Sequence, residues 1–121
     1  MVRQERSICQ IEADVRSAGQ TFLGLRMADL LARIAELDDK VTKKKLIEEY
    51  YENQIGTFDK EISGVCTRVN SAIRIIKAEK VLYALSLIDG SNSRVSLQAV
   101  QKAKETISKI RSGEIEMPDL D

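Results

Sequence analysis

The sequence has no histidine and no tryptophan, and only one proline, six glycines and two cysteines among its 121 residues. Without histidine, serine or cysteine catalytic triads of the usual kind are excluded, because imidazole is the commonest general base. Glycine-rich phosphate loops and Cys-x-x-Cys pairs are also missing. We therefore expect a protein that is not an enzyme and that has no cofactor and no metal site.

The chain also lacks a run of eighteen apolar residues, and no apolar stretch typical of a secretory signal follows its N-terminus. We therefore expect a cytoplasmic protein that does not cross a membrane. Cys9 and Cys66 lie far apart among apolar neighbours, which predicts two reduced, buried cysteines. A disulfide or a redox switch is the alternative.

Scarce helix breakers and many Leu, Ile, Ala, Lys, Glu and Arg residues favour helices, while aromatic residues at 4% give little support for a sheet. These features predict an all-α fold, a compact bundle or orthogonal array of five to six helices. The expected organisation is a single helical domain over residues 1–113, followed by an acidic, flexible tail over residues 114–121.

Local signals predict several helix boundaries. Gly19 is expected to end the first helix, and Ser96 is expected to cap the last one. Between them, apolar residues recur with a helical period from Phe58 to Ile88, which predicts one long helix near residues 57–88. Two places at which that helix could break are Ser63-Gly64 and Asn70-Ser71.

The net charge of zero conceals an uneven distribution of charge along the chain. Residues 60–112 contain ten basic and four acidic side chains. Seven of the basic residues form the predicted basic surface: Arg68, Arg74, Lys77, Lys80, Arg94, Lys102 and Lys109. Such residues can simply cover the solvent faces of amphipathic helices, or they can bind nucleic acid or an acidic protein partner.

The last nine residues contain four acidic side chains and no basic one: Glu114, Glu116, Asp119 and Asp121. This acidic tail could dock on the predicted basic surface, either within one molecule or on a neighbouring molecule. In that case, deleting the tail should raise the affinity for polyanions or change the oligomeric state.

A carboxylate cluster is the best candidate for chemistry. Glu48, Glu49 and Glu52 lie on neighbouring helical turns and resemble the first half of the Glu-Glu-x-x-Glu pattern of all-α nucleoside triphosphate pyrophosphatases. That resemblance implies Mg²⁺-dependent hydrolysis, and it requires a second helix with a Glu-x-x-Asp pattern. Glu79 is followed by Lys80, Val81 and Leu82, so the second carboxylate is missing. A solvated acidic face is the better interpretation.

A second resemblance involves residues 73–85 and the pattern Val95-Ser96-x-x-x-Val100-x-x-Ala103, which follows a glycine-containing loop. The arrangement resembles the end of an AAA+ ATPase lid, and histone-fold proteins end similarly. The resemblance covers about a third of the chain. It implies a partner-binding module, because no phosphate loop accompanies it.

The leading prediction is a helical interaction or assembly protein that associates with itself or forms a small subunit of a larger complex. Wide apolar faces on the second predicted helix and on residues 73–88 favour it, since one small bundle has limited interior to bury them. The alternative is a nucleic-acid-binding protein that uses the predicted basic surface. A Mg²⁺-dependent hydrolase that uses the three glutamates comes third.

Overall fold

A computed structural model describes residues 5–88 and 95–118. These residues form six α-helices and no strand, which confirms the predicted all-α bundle. The helices are α1 (Ile8–Ala18), α2 (Gln20–Arg33), α3 (Lys40–Glu52), α4 (Ile62–Lys77), α5 (Val81–Ser86) and α6 (Leu97–Ser112), and a short 3₁₀ turn, Ile34–Glu36, follows α2.

The predicted boundaries at Gly19 and Ser96 are confirmed. Gly19 has a φ of 87°, which favours glycine, and this single residue separates α1 from α2. Its N–H donates to Val15 O in α1, and its carbonyl accepts from Leu23 N–H in α2. At the start of α6, the Ser96 hydroxyl accepts from Ala99 N–H at 3.1 Å.

The single long helix predicted near residues 57–88 is wrong, because the chain turns sharply between α4 and α5. Glu79 has a φ of 58°, and its N–H donates to Ile76 O, while Lys80 N–H donates to Ile75 O. These two bonds form a Schellman motif, in which a left-handed residue satisfies the last carbonyls of a helix. Here a glutamate occupies the position that glycine usually takes.

The helices pack in pairs around α2. Helix α1 packs on α4 in the antiparallel direction, since Asp14 and Ala18 contact Arg74 and Arg68, respectively. Helix α6 packs on α2, and these two helices run in the same direction, since Thr21 and Gly24 contact Ser96 and Ala99, respectively. Helix α3 covers α4, and α5 covers α6. The predicted basic surface is therefore divided between two helices, α4 and α6, which pack mainly on α1 and α2, respectively.

The contact between α2 and α6 depends on a glycine. A Cβ atom added to Gly24 would lie 2.5 Å from the backbone oxygen of Ala99. The absence of a side chain therefore lets the two backbones approach closely. The core contains fully buried side chains from every helix, among them Ile11, Leu23, Met27, Leu30, Tyr50, Val69, Ile75, Ile76, Val81, Leu85 and Thr106.

The cysteines differ from the prediction of two buried thiols. Cys9 is exposed on α1, and Cys66 is half-buried on α4, where its sulfur accepts from the Asn70 side chain at 3.3 Å. Both are free thiols. The apolar spacing around Cys9 was misleading, because the core side of α1 is formed by its neighbours Ile11 and Val15.

Candidate functional site

Arg68, the first member of the predicted basic surface, connects three segments of the chain. Its Nε and Nη2 donate to the carboxylate of Asp59 at 2.9 and 3.2 Å, and its Nη1 donates to Ala18 O at 2.7 Å. Nη1 occupies the space that a side chain on Gly19 would fill, since an added Cβ there would lie 2.4 Å away. Arg68 therefore joins the end of α1 to the loop that precedes α4.

Arg74 is also used inside the molecule. Its Nε donates to Asp14 Oδ1 at 3.0 Å, and its Nη2 donates to the Ser71 hydroxyl at 2.9 Å. Arg6 donates to both oxygens of the same carboxylate, at 2.7 and 3.1 Å. Only 4% of the Asp14 side chain is exposed, so the two guanidinium groups compensate for a buried charge.

Three further members of the predicted basic surface form ion pairs. Lys77 Nζ lies 3.3 Å from Asp38, while Lys102 and Lys109 share Glu105 at 3.8 and 2.8 Å. The hydrogen bond from Lys109, aided by the charge of Lys102, lowers the pKa of Glu105. Acidic groups therefore neutralise much of the predicted basic surface.

The remaining basic residues are more dispersed. Lys80 is exposed at the turn after α4, and Arg94 lies outside the described residues. Two cations that the prediction left out, Lys104 and Arg111, lie seven residues apart on α6 beside Ser108. Neither has an ion-pair partner among the residues the structure covers. The spacing of seven residues was a signal that could have identified this pair.

The first part of the acidic tail returns to the bundle. Ile115 packs against the core, its N–H donates to Lys109 O, and it lies beside Ala28 and Ala32 of α2. Glu114 and Glu116 are exposed. In the part of the chain described, neither forms an ion pair with the predicted basic surface. Asp119 and Asp121 lie outside the described residues.

Glu48, Glu49 and Glu52 do not form a cluster of ligands. Glu49 accepts from Arg33 at 2.9 Å and thereby joins α3 to α2. Glu48 and Glu52 are exposed. Over residues 5–88 and 95–118, no group of three or more acidic or cysteine side chains is arranged to hold a metal ion.

Tyr50 lies at the centre of the contact between α2 and α3. The Arg26 guanidinium lies 4.2 Å from its ring centroid, and the Phe22 ring meets it edge-on at 6.1 Å. The Tyr50 hydroxyl donates to Asp29. Burial and this hydrogen bond raise the pKa of Tyr50 strongly. The network attaches the end of α3, and hence the following loop, to the core.

That loop, residues 53–61, is fixed by side-chain hydrogen bonds. The Gln54 amide both donates to Asp59 O at 2.9 Å and accepts from Asp59 N–H at 2.6 Å. The Tyr51 hydroxyl donates to Lys60 O at 2.8 Å. Together with the pairing of Asp59 and Arg68, these bonds hold the loop against the ends of α1, α3 and α4.

The fixed loop nevertheless presents apolar side chains to solvent. Phe58 is 80% exposed, and Ile55 is 48% exposed. Ile62, at the start of α4, and Leu97, at the start of α6, are 42% and 72% exposed. We call these four residues the Phe58 surface. The helical period from Phe58 to Ile88 predicts that Phe58 lies on the apolar face of a helix, so the sequence does not predict its exposure.

The Phe58 surface lies at one end of the bundle, because two loops meet at Thr21. A Cβ atom added to Gly56 would lie 2.8 Å from Thr21 Cγ2, and Ser96 N–H lies 3.4 Å from the Thr21 hydroxyl oxygen. Phe58 and Leu97 follow Gly56 and Ser96 by two residues and one residue. Since successive Cα atoms are about 3.8 Å apart, both apolar side chains originate close to Thr21.

Within residues 5–88 and 95–118, no helix is long and apolar enough to cross a membrane. The chain matches no protein-family model, no curated protein and no solved structure.

Proposed function

We propose that the chain is a small helical interaction protein that binds a protein partner through the Phe58 surface. The observation that carries this proposal is the 80% exposure of Phe58 on a loop fixed by Gln54, Tyr51 and Arg68. A phenylalanine in water contributes nothing to folding, whereas its burial in a partner would contribute about 2 kcal/mol. Large aromatic side chains are typical anchors of protein interfaces.

The arrangement of charges favours this function over nucleic-acid binding. Arg68, Arg74 and Lys77 each pair with an acidic residue of another segment, so binding phosphates through them would require breaking contacts that support the fold. The other predicted residues with described positions lie on a different helix, α6, or in the turn after α4. The predicted cations among the described residues therefore do not form a continuous unpaired face.

Photo-crosslinking tests the proposal. A photoreactive phenylalanine analogue is placed at position 58, and the same analogue is placed at Lys44, an exposed position on α3, as the matched control. We expect a defined crosslinked protein from position 58 and none from position 44. The purified partner should then bind the wild-type chain, and Phe58→Ser should weaken binding by about thirtyfold.

A partner that binds Phe58→Ser as tightly as the wild type would contradict the proposal. Because Phe58 is mostly exposed, the serine variant should retain the fold. Circular dichroism checks this point, so that a loss of binding can be attributed to the surface.

A further inference from the structure

We infer that the occupant of the Phe58 surface is a second copy of this chain, bound through a two-fold symmetric contact. This inference rests on the proposed function and identifies its partner. It begins from the two residues between Phe58 and Ile62 that carry unpaired charge, Lys60 and Glu61. Both are exposed, and within the described residues neither side chain has an ion-pair or hydrogen-bond partner.

Lys60 and Glu61 make the Phe58 surface complementary to itself. In a two-fold contact, a residue i that meets residue j of the other copy is matched by residue j meeting residue i. Lys60 of each copy can therefore pair with Glu61 of the other. A surface with one sign of charge would repel its own copy, whereas this one attracts it.

The total charge allows the same contact. The chain contains 19 basic and 19 acidic residues, so its net charge is zero at neutral pH. Two copies therefore approach without the overall repulsion that keeps strongly charged proteins apart. The local attraction between Lys60 and Glu61 is not opposed at longer range.

The exposed apolar area limits how stable the dimer can be. The four apolar side chains of the Phe58 surface expose on the order of 100 Å² each, or about 800 Å² for two copies. This value lies below the roughly 1,200–2,000 Å² that stable complexes bury. The dimer should therefore be weak, with a dissociation constant on the order of 10–100 µM.

Analytical ultracentrifugation from about 1 µM to about 500 µM tests the inference over the range that this affinity requires. The wild type should change from monomer to dimer, and Phe58→Ser should remain a monomer throughout. Lys60→Glu and Glu61→Lys should each weaken the dimer about tenfold, because each turns two attractions into two repulsions. The double variant Lys60→Glu/Glu61→Lys should restore the dimer. Lys44→Glu, on α3, is the charge-matched control and should leave it unchanged.

Three results would overturn the inference, and they can be told apart from a failure of the proposed function. A wild type that stays monomeric excludes the second copy, but the proposed function stands if position 58 crosslinks to a different protein. A dimer that survives Phe58→Ser uses another surface. Weakening by both single charge reversals without recovery in the double variant excludes the two-fold pairing of Lys60 with Glu61.

Discussion

Replacing Gly24 by alanine tests the close contact between α2 and α6, and the sequence and the structure predict opposite results. In an exposed helix interior, alanine is more favourable than glycine by about 1 kcal/mol, so helix propensity alone predicts stabilisation. In the structure, the added Cβ atom would lie 2.5 Å from Ala99 O and 3.0 Å from Ala99 Cβ. The two helices must therefore move apart.

Overpacking of this kind costs about 1–3 kcal/mol, because backbone atoms cannot rotate out of the way as a flexible side chain can. After the propensity gain is subtracted, Gly24→Ala should lower the free energy of unfolding by up to about 2 kcal/mol. For a domain of this size, the melting temperature should fall by up to about 10 °C. Urea unfolding followed by circular dichroism measures the first quantity, and a thermal scan measures the second.

The control for Gly24→Ala is an exposed position in a helix of the same protein. Gln101 lies on the solvent side of α6, so Gln101→Ala should be about 1 kcal/mol more stable than Gln101→Gly. The difference between alanine and glycine should therefore have opposite signs at positions 101 and 24. If Gly24→Ala unfolds at a higher urea concentration than the wild type, the close approach of α2 to α6 is refuted.

Two further predictions concern polar contacts. Arg74→Met should lower the free energy of unfolding in urea by about 1–2 kcal/mol, because Asp14 then keeps only one of its two guanidinium partners. Lys104→Met, which removes an unpaired cation, is the control and should change the free energy of unfolding by less than about 0.5 kcal/mol. Equal effects of the two substitutions would show that the pairing of Arg74 with Asp14 is not stabilising. Because the pKa of Tyr50 is raised in the folded chain, the unfolded chain loses this proton near pH 10 while the folded chain keeps it. The free energy of unfolding should therefore fall as the pH rises above about 10. Tyr50→Phe should reduce that slope in urea titrations at several pH values, and an unchanged slope would contradict the burial of the hydroxyl and its bond to Asp29.

The sequence predicts helix boundaries where the signal is local. Gly19 and Ser96 act through bonds to residues three or four positions away, so their types are sufficient to place the ends of α1 and α6. The turn at Glu79 had no such signal, because glutamate rarely adopts a left-handed conformation. The packing of Val81 and Leu85 in the core stabilises that turn, and it is not visible in the local sequence.

The partners of the basic residues could not be predicted for a related reason. The excess of positive charge after residue 60 is evident from composition, but Asp14 and Arg74 are sixty positions apart. Only the antiparallel packing of α1 on α4 brings them together. In the same way, periodicity linked Phe58 to Ile62, yet α4 begins at Ile62, so Phe58 lies before the helix and outside the core.

The anchoring of the loop by Arg68 has a consequence for binding. A partner that docks on a mobile loop must immobilise it, at a conformational-entropy cost of about 0.5–1.5 kcal/mol for each side chain that becomes ordered. Arg68 and Gln54 already hold Asp59, the residue next to Phe58, so the surface is preorganised before any partner arrives. Weakening the pair between Arg68 and Asp59 would remove none of the exposed apolar side chains, but it would lower the affinity because binding would then have to order the loop. The affinity of this surface for a partner therefore depends on Arg68 as well as on the four apolar side chains themselves.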